Sequence, residues 1–197
     1  MHNTPMICYP TGQASPGGQI GFTLLELMIT MAIAAILLTV AVPSFQTTIS
    51  NNRLATQTNS LVTDINIARS EAAKRGTGVV LCSSSNPNAP TPTCVGAGNA
   101  WTGGWLVFVD ADSSGAFNAG DPLIKVGQAI GGTATILTAN TLNTFTYNGD
   151  GTSSIAVNAD FSICDDRGEP FGRQVQIRPT GRPRLIGGPL LAGGCTP

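Results

Sequence analysis

The chain has 197 residues, 24 of them glycine and 13 proline, and a formal charge of −1. Only 11% of residues are charged, against roughly 25% in an average soluble protein, which excludes a helical bundle and favours a loop-rich β domain with an extension. The charge is unevenly placed: residues 76–166 hold seven acids and one base, Lys125, whereas from residue 167 onward there are five arginines and one acid, Glu169. An acidic middle and a basic tail can mark a face for polyanions.

The first element is an apolar run at residues 22–42 with a single charge, Glu26. As a helix it spans ~31 Å, about one bilayer core. A carboxylate is costly there, and the helix macrodipole returns only roughly 0.3–1 kcal/mol for an acid near the N-terminus. The helical pattern continues past Pro43. Leu54, Leu61, Ile65, Ala68 and Ala72 fall on one face, Glu71 precedes Arg75 by four residues, and Gly76 is a C-terminal stop. The predicted helix covers residues 22–75, about 80 Å if unbroken. Its first half is transmembrane (22–42) and its second half is amphipathic.

Strands are predicted at 79–82, 105–110, 123–126, 144–147, 154–157, 161–164, 173–178 and 182–186, from branched and aromatic runs between Gly, Asn, Asp and Pro turns. A polar Pro/Gly/Ser loop separates Cys82 from Trp101. The fold class is α+β, a long N-terminal helix packed on an antiparallel β domain over residues 76–197.

Little in the chain suggests catalysis. The one histidine is His2, and there is no Cys-x-x-Cys pattern for a metal or redox site. Asp165 and Asp166 could pair as carboxylates, but a turn beside Arg167 and Gly168 explains them better. Asp110, Asp112, Ser114, Gly115 and Asp121 occupy positions 1, 3, 5, 6 and 12 of a calcium-loop pattern. The terminal ligand is Asp rather than Glu and the flanks read as strands, so an Asx-rich hairpin loop is favoured over calcium. No cofactor is expected. In an extended strand Arg182 and Arg184 point the same way, and Arg178 lies across the turn at 179–181. Such guanidinium groups suit phosphates; they also suit a charged edge strand that deters aggregation.

The stretch Gly21-Phe22-Thr23-Leu24-Leu25-Glu26 resembles the processing site of type IV prepilins and type II secretion pseudopilins. The resemblance implies a leader at residues 1–21, removed by a prepilin peptidase between Gly21 and Phe22, and N-methylation of Phe22. It gives Glu26 the role of counter-charge to the new amine of a neighbouring subunit. Such leaders usually carry Lys or Arg before the glycine, and this one carries none, so the positive-inside rule specifies orientation weakly.

"ARSEAAKRG", "GGWLVFVDADSSG" and "CDDRGEPFGRQVQIRPTGRPRL" resemble the GspH/FimT class of minor pilins and pseudopilins. That class implies a subunit of a type II secretion or type IV pilus machine. It would assemble with other pilins or pseudopilins through its N-terminal helix, cross the bacterial inner membrane once, and hold its globular domain in the periplasm or on an extracellular filament. The string Gly181-Arg182-Pro183-Arg184 resembles the DNA-binding element of FimT-type pilins. The alternative function is therefore capture of duplex DNA in natural transformation by Arg178, Arg182 and Arg184. Outside the cytoplasm Cys82, Cys94, Cys164 and Cys195 should be oxidised. Three pairings are possible, and proximity favours Cys82 with Cys94 and Cys164 with Cys195. Cys8 leaves with the leader.

Overall fold

The computed structural model of the chain describes residues 21–96, 100–138, 141–187 and Cys195. Residues 1–20 of the expected leader (1–21), with His2 and Cys8, lie outside the described residues, as do residues 97–99 of the polar loop. The chain forms two compact units, one ending at Phe45 and one beginning at Gln46. Helix α1 runs Leu24–Arg75 with Pro43 inside it.

In the first unit, α1 is apolar and exposed, and it is the one described helix long and apolar enough to cross a membrane. Its hydroxyls are satisfied locally: Thr30 donates to the Leu27 carbonyl (2.9 Å) and Thr39 to that of Ile36 (2.7 Å). Back-bonding of this kind lets a polar side chain sit in an apolar span, where an unpaired group is expensive.

In the second unit the predicted stripe of α1 is buried: Leu54, Leu61, Ile65, Ala68 and Ala72. Gly76 ends the helix in the left-handed region (φ 64°), and its N–H bonds the Ala72 carbonyl at 2.8 Å. Two antiparallel four-stranded sheets follow. With β1 Val79–Ser83, β2 Trp105–Val109, β3 Leu123–Gly127 and β5 Thr144–Tyr147, the first has the order β3-β2-β1-β5. With β4 Thr135–Thr138, β6 Ala159–Cys164, β7 Arg173–Ile177 and β8 Pro183–Ile186, the second has the order β4-β6-β7-β8. The inner faces of both sheets join the helix stripe in one core around Trp101, Trp105, Phe145 and Phe161.

All five residues of β1 are buried, which an antiparallel strand with one wet face would not show. Val80, Cys82, Leu106 and Phe108 form a second apolar cluster with Phe117, Val126 and Cys94. The Cys82–Cys94 disulfide draws the polar loop over the outer face of this sheet. Cys164 bonds Cys195 and so ties the end of β6 to the chain terminus.

Two expectations are corrected. No strand forms at 154–157. Ser153 makes only an isolated bridge to Tyr147, because its N–H and hydroxyl cap the carbonyls of Arg178 and Pro179. Conversely β4, Thr135–Thr138, forms without a strong sequence signal. It is held by pairing with β6 and by the Thr102 hydroxyl, which accepts from the Ile136 N–H at 2.9 Å.

Asp64 is a polar intruder in the helix stripe and is 2% exposed. The Trp105 indole N–H donates to its carboxylate at 3.0 Å. That contact requires Gly127, since a Cβ there would fall 2.0 Å from the Trp105 ring. Burial raises the Asp64 pKa above its ordinary 3.8, against smaller opposing effects of the Trp105 hydrogen bond and Lys125. Because the folded pKa exceeds the unfolded one, the stabilising contribution is complete below about pH 3.8 and is lost as pH rises through the raised value. Asp64→Asn keeps an acceptor for Trp105 without a charge. It should melt above the parent at pH 7, with the gap closing toward pH 3.8, as read by thermal denaturation across pH.

Candidate functional site

At the N-terminal end, Phe22 is 82% exposed and α1 begins two residues later. Thr23 is the cap: its hydroxyl accepts from the Glu26 N–H at 3.2 Å and its carbonyl from the Leu27 N–H at 3.2 Å. Thr23 and Glu26 thus hold the N-cap and N3 positions of a Thr-x-x-Glu box. Glu26 stands out in the sequence as a lone charge; Thr23, three residues before it, is a second and equally legible signal. Glu26 itself is exposed and forms no ion pair among the described residues.

The second candidate is the β7–β8 hairpin. Gln176 pairs with Arg184 and Ile177 with Pro183, which sets Arg178 opposite Arg182. Val175 and Ile177 face the core, so the alternate positions face outward. Arg178, Arg182 and Arg184 are exposed and, with Thr180 and Pro183, line a cleft of about 530 Å³. Among the described residues none of the three forms an ion pair; the ion pairs are Glu71 with Lys74 and Arg75, and Asp165 with Arg167.

The turn beneath these arginines is held from inside. Gly181 N–H donates to the Arg178 carbonyl at 2.8 Å, and the buried Tyr147 hydroxyl donates to the Gly181 carbonyl at 2.9 Å. Burial also pushes the Tyr147 pKa well up, opposed weakly by Arg69. Arg69 of α1 donates to the carbonyls of Gly151 (2.9 Å) and Thr180 (3.4 Å). The carbonyls are consumed inward, which leaves the outer face to the guanidinium groups. Arg69 and Tyr147 carried no sequence signal; they act on residues 34 to 111 positions away.

The loop at 110–121 brings Asp110, Asp112 and Asp121 together, with ligand atoms within 4.8 Å of one another. Donors of the same loop hold all three carboxylates. Asp110 accepts from the N–H groups of Ser114 and Gly115 (both 3.0 Å), and Asp121 from those of Ala111 and Asn118 (both 3.0 Å). Asp112 accepts from Ser114 N–H (3.1 Å) and Asn118 Nδ2 (2.9 Å). The Ser114 hydrogen bonds, with Asn118, hold the Asp112 pKa below the usual carboxylate value. The Ser114 hydroxyl donates to the Ala116 carbonyl at 3.1 Å. This is the geometry of an Asx-rich hairpin loop.

Asp165 and Asp166 are not a carboxylate pair. Arg167 binds Asp165 with two nitrogens at 2.7 and 3.0 Å, stacks on Phe171 at 4.5 Å and donates to Asn51 Oδ1 at 2.9 Å. Asp166 accepts from the Thr133 hydroxyl at 3.1 Å. The group fastens a loop to α1.

Gly181 is the position in the hairpin where only glycine fits. Its φ is +78°, and a Cβ would lie 2.2 Å from the Gly151 carbonyl oxygen. Gly168 has φ +81° but open space around it. With ψ at −167° this is a backbone essentially only glycine adopts, so Gly168→Ala should cost about 1–3 kcal/mol for the dihedral alone. Gly181→Ala should cost at least ~1 kcal/mol more because backbone must move. Chemical denaturation of the two variants checks the order.

Comparison with known proteins agrees with this architecture. The family described as type II transport protein GspH matches residues 57–181, and the prokaryotic N-terminal methylation motif matches residues 17–42. No curated protein sequence matches the chain significantly. Two crystal forms of the type IV minor pilin FimU of Pseudomonas aeruginosa (strain PAO1) share the fold at 20% identity. One has a TM-score of 0.55 and covers 70% of this chain and 91% of FimU; the other has 0.51, 68% and 92%. The chain belongs to the GspH family and is a minor pseudopilin or pilin of the type II secretion or type IV pilus systems.

Proposed function

We propose that this protein is a structural, non-catalytic subunit, cut between Gly21 and Phe22 by a prepilin peptidase and N-methylated on Phe22. It is held in the bacterial inner membrane by the first half of α1, with the globular unit in the periplasm, until it joins a filament. The observation that carries this reading is the exposed apolar surface of residues 24–42 of α1, with Glu26 as its single charge. Water does not tolerate a surface of that extent, and a lone carboxylate in it calls for a cationic partner. A newly made α-amine on a neighbouring subunit is such a partner. Intact-mass analysis of membrane-extracted protein should show a chain beginning at Phe22 with one added methyl; an unprocessed N-terminus beside an active peptidase would overturn the reading. Glu26→Ala should insert normally and be incorporated poorly, as measured by the fraction recovered with sheared filaments.

A second reading concerns the arginine hairpin. Three outward guanidinium groups without ion pairs among the described residues favour a polyanion, and duplex DNA is the polyanion proposed. No helix is presented for groove reading, so contacts would be to phosphates and indifferent to sequence. Replacing Arg182 and Arg184 together by Gln should weaken binding to all sequences alike. It should flatten the plot of log affinity against log salt by up to ~2, about 0.9 per lost contact, while the melting temperature stays within the small range of exposed substitutions. Equal binding by parent and variant in a salt titration would remove DNA from the account.

A further inference from the structure

The core-facing side of the second sheet is not covered along its whole length. Residues paired across neighbouring strands share a face. Arg173 pairs with Ile163 and Leu185 with Val175, and both of those partners are fully buried. Arg173 and Leu185 therefore stand on the helix side, yet Leu185 is 49% exposed. A groove of about 440 Å³ opens here, lined by Asn51 of α1, Phe171, Arg173, Leu185 and Ile186. Phe171, also exposed, is held in place by Arg167, which stacks on its ring at 4.5 Å and donates to Asn51 Oδ1 at 2.9 Å.

No acid lines the groove. Its one charge is Arg173, which forms no ion pair among the described residues. An aromatic ring, two aliphatic side chains and a lone guanidinium are the residue types that settle at a bilayer surface. Rings sit at headgroup level there, and cations meet lipid phosphate. The groove also lies where the chain enters the globular unit. That unit begins at Gln46, and Asn51 follows it by one turn and a half of helix.

We propose that this groove docks on the anionic phospholipid surface of the membrane that holds α1, with Phe171 and Leu185 at headgroup level and Arg173 on lipid phosphate. The inference rests on the reading of α1 as a membrane anchor. Val42, the last residue of the apolar run, precedes Asn51 by about 13 Å of helix. Headgroups fill roughly 5–7 Å of that, and the ~20° tilt usual for spans tips the unit further toward the surface. The arginine turn is left clear of the lipid. Arg69, which holds Thr180, stands about 27 Å beyond Asn51 along the helix, well past the screening length of about 8 Å at physiological salt.

The test uses the full-length chain with Cys8→Ser, reconstituted in phosphatidylcholine vesicles with or without phosphatidylglycerol. A fluorophore is attached at Gly187→Cys on the groove, where a side chain meets open space, or at Thr180→Cys on the turn. A nitroxide on the lipid headgroup should quench the groove probe in the anionic vesicles and the turn probe far less. Arg173→Gln should lower the docked-to-free ratio about fivefold, the effect of one basic residue near an anionic surface, and Arg173→Lys should restore it. Equal quenching of the two probes would overturn the proposal, as would quenching indifferent to phosphatidylglycerol or to Arg173→Gln. So would a groove probe shielded from aqueous iodide but untouched by the nitroxide, which would show that protein covers the groove. Alkaline extraction of the same vesicles reads the anchor. An unquenched groove probe on a chain that resists extraction overturns the docking alone; a chain that is extracted overturns the docking and the anchor together.

Discussion

Leu54, Leu61, Ile65, Ala68 and Ala72 form one stripe of α1, and both sheets close on it. Burying the three large side chains contributes on the order of 6 kcal/mol at ~2 kcal/mol each, comparable to the whole stability of a typical domain. The turn after β5 comes up against the end of the helix: a Cβ on Gly149 would lie 2.7 Å from the Gly76 backbone. The price of this arrangement is Asp64, a carboxylate kept in the stripe by a single tryptophan N–H. The helix is thus both the anchor's continuation and the foundation of the domain.

The arginine hairpin depends on that foundation. Arg69 stands on the helix three residues before Ala72 and holds the turns at Gly151 and Thr180 together. Tyr147 of β5 reaches across from the other sheet to Gly181. A loop tip fixed by a helix, two sheets and a glycine with no room for Cβ presents its side chains without a large ordering cost on binding. Such pre-organisation serves a phosphate backbone or a neighbouring subunit equally well. The choice between them lies in what faces the arginines, not in the arginines.

The disulfide at Cys82–Cys94 has a different job from that at Cys164–Cys195. The former closes a short loop over an outer sheet face and creates a second apolar cluster. The latter spans 31 positions and ties the end of the chain to β6. Loop-closure entropy rewards the longer span somewhat more, whereas the shorter one shapes a surface. The edges of the sheets are blunted by ordinary means. Pro183 and two arginines sit on or beside β8, Pro122 precedes β3, and Ser153 and Ser154 cover β5.

The sequence by itself determined whatever depends on local pattern. The apolar run and its glutamate, the stripe of α1, the Gly76 stop and the stronger strands are written in periods of 3.6 and 2, and a side chain's neighbours four residues away suffice to read them. The register of Arg182 and Arg184 was legible for the same reason. Only the tertiary structure decided the rest, because the partners are distant along the chain. β4 is a weak, polar-alternating segment that becomes a strand because β6 offers it a ladder. Residues 154–157 look like a strand, but Ser153 spends its donors on the hairpin carbonyls. Asp64 reads as a surface residue until Trp105, 41 positions on, lies over it. The carboxylates at 110–121 match a cation loop by spacing, and only the fold shows Asp110 and Asp121 each holding two backbone N–H groups and Asp112 one.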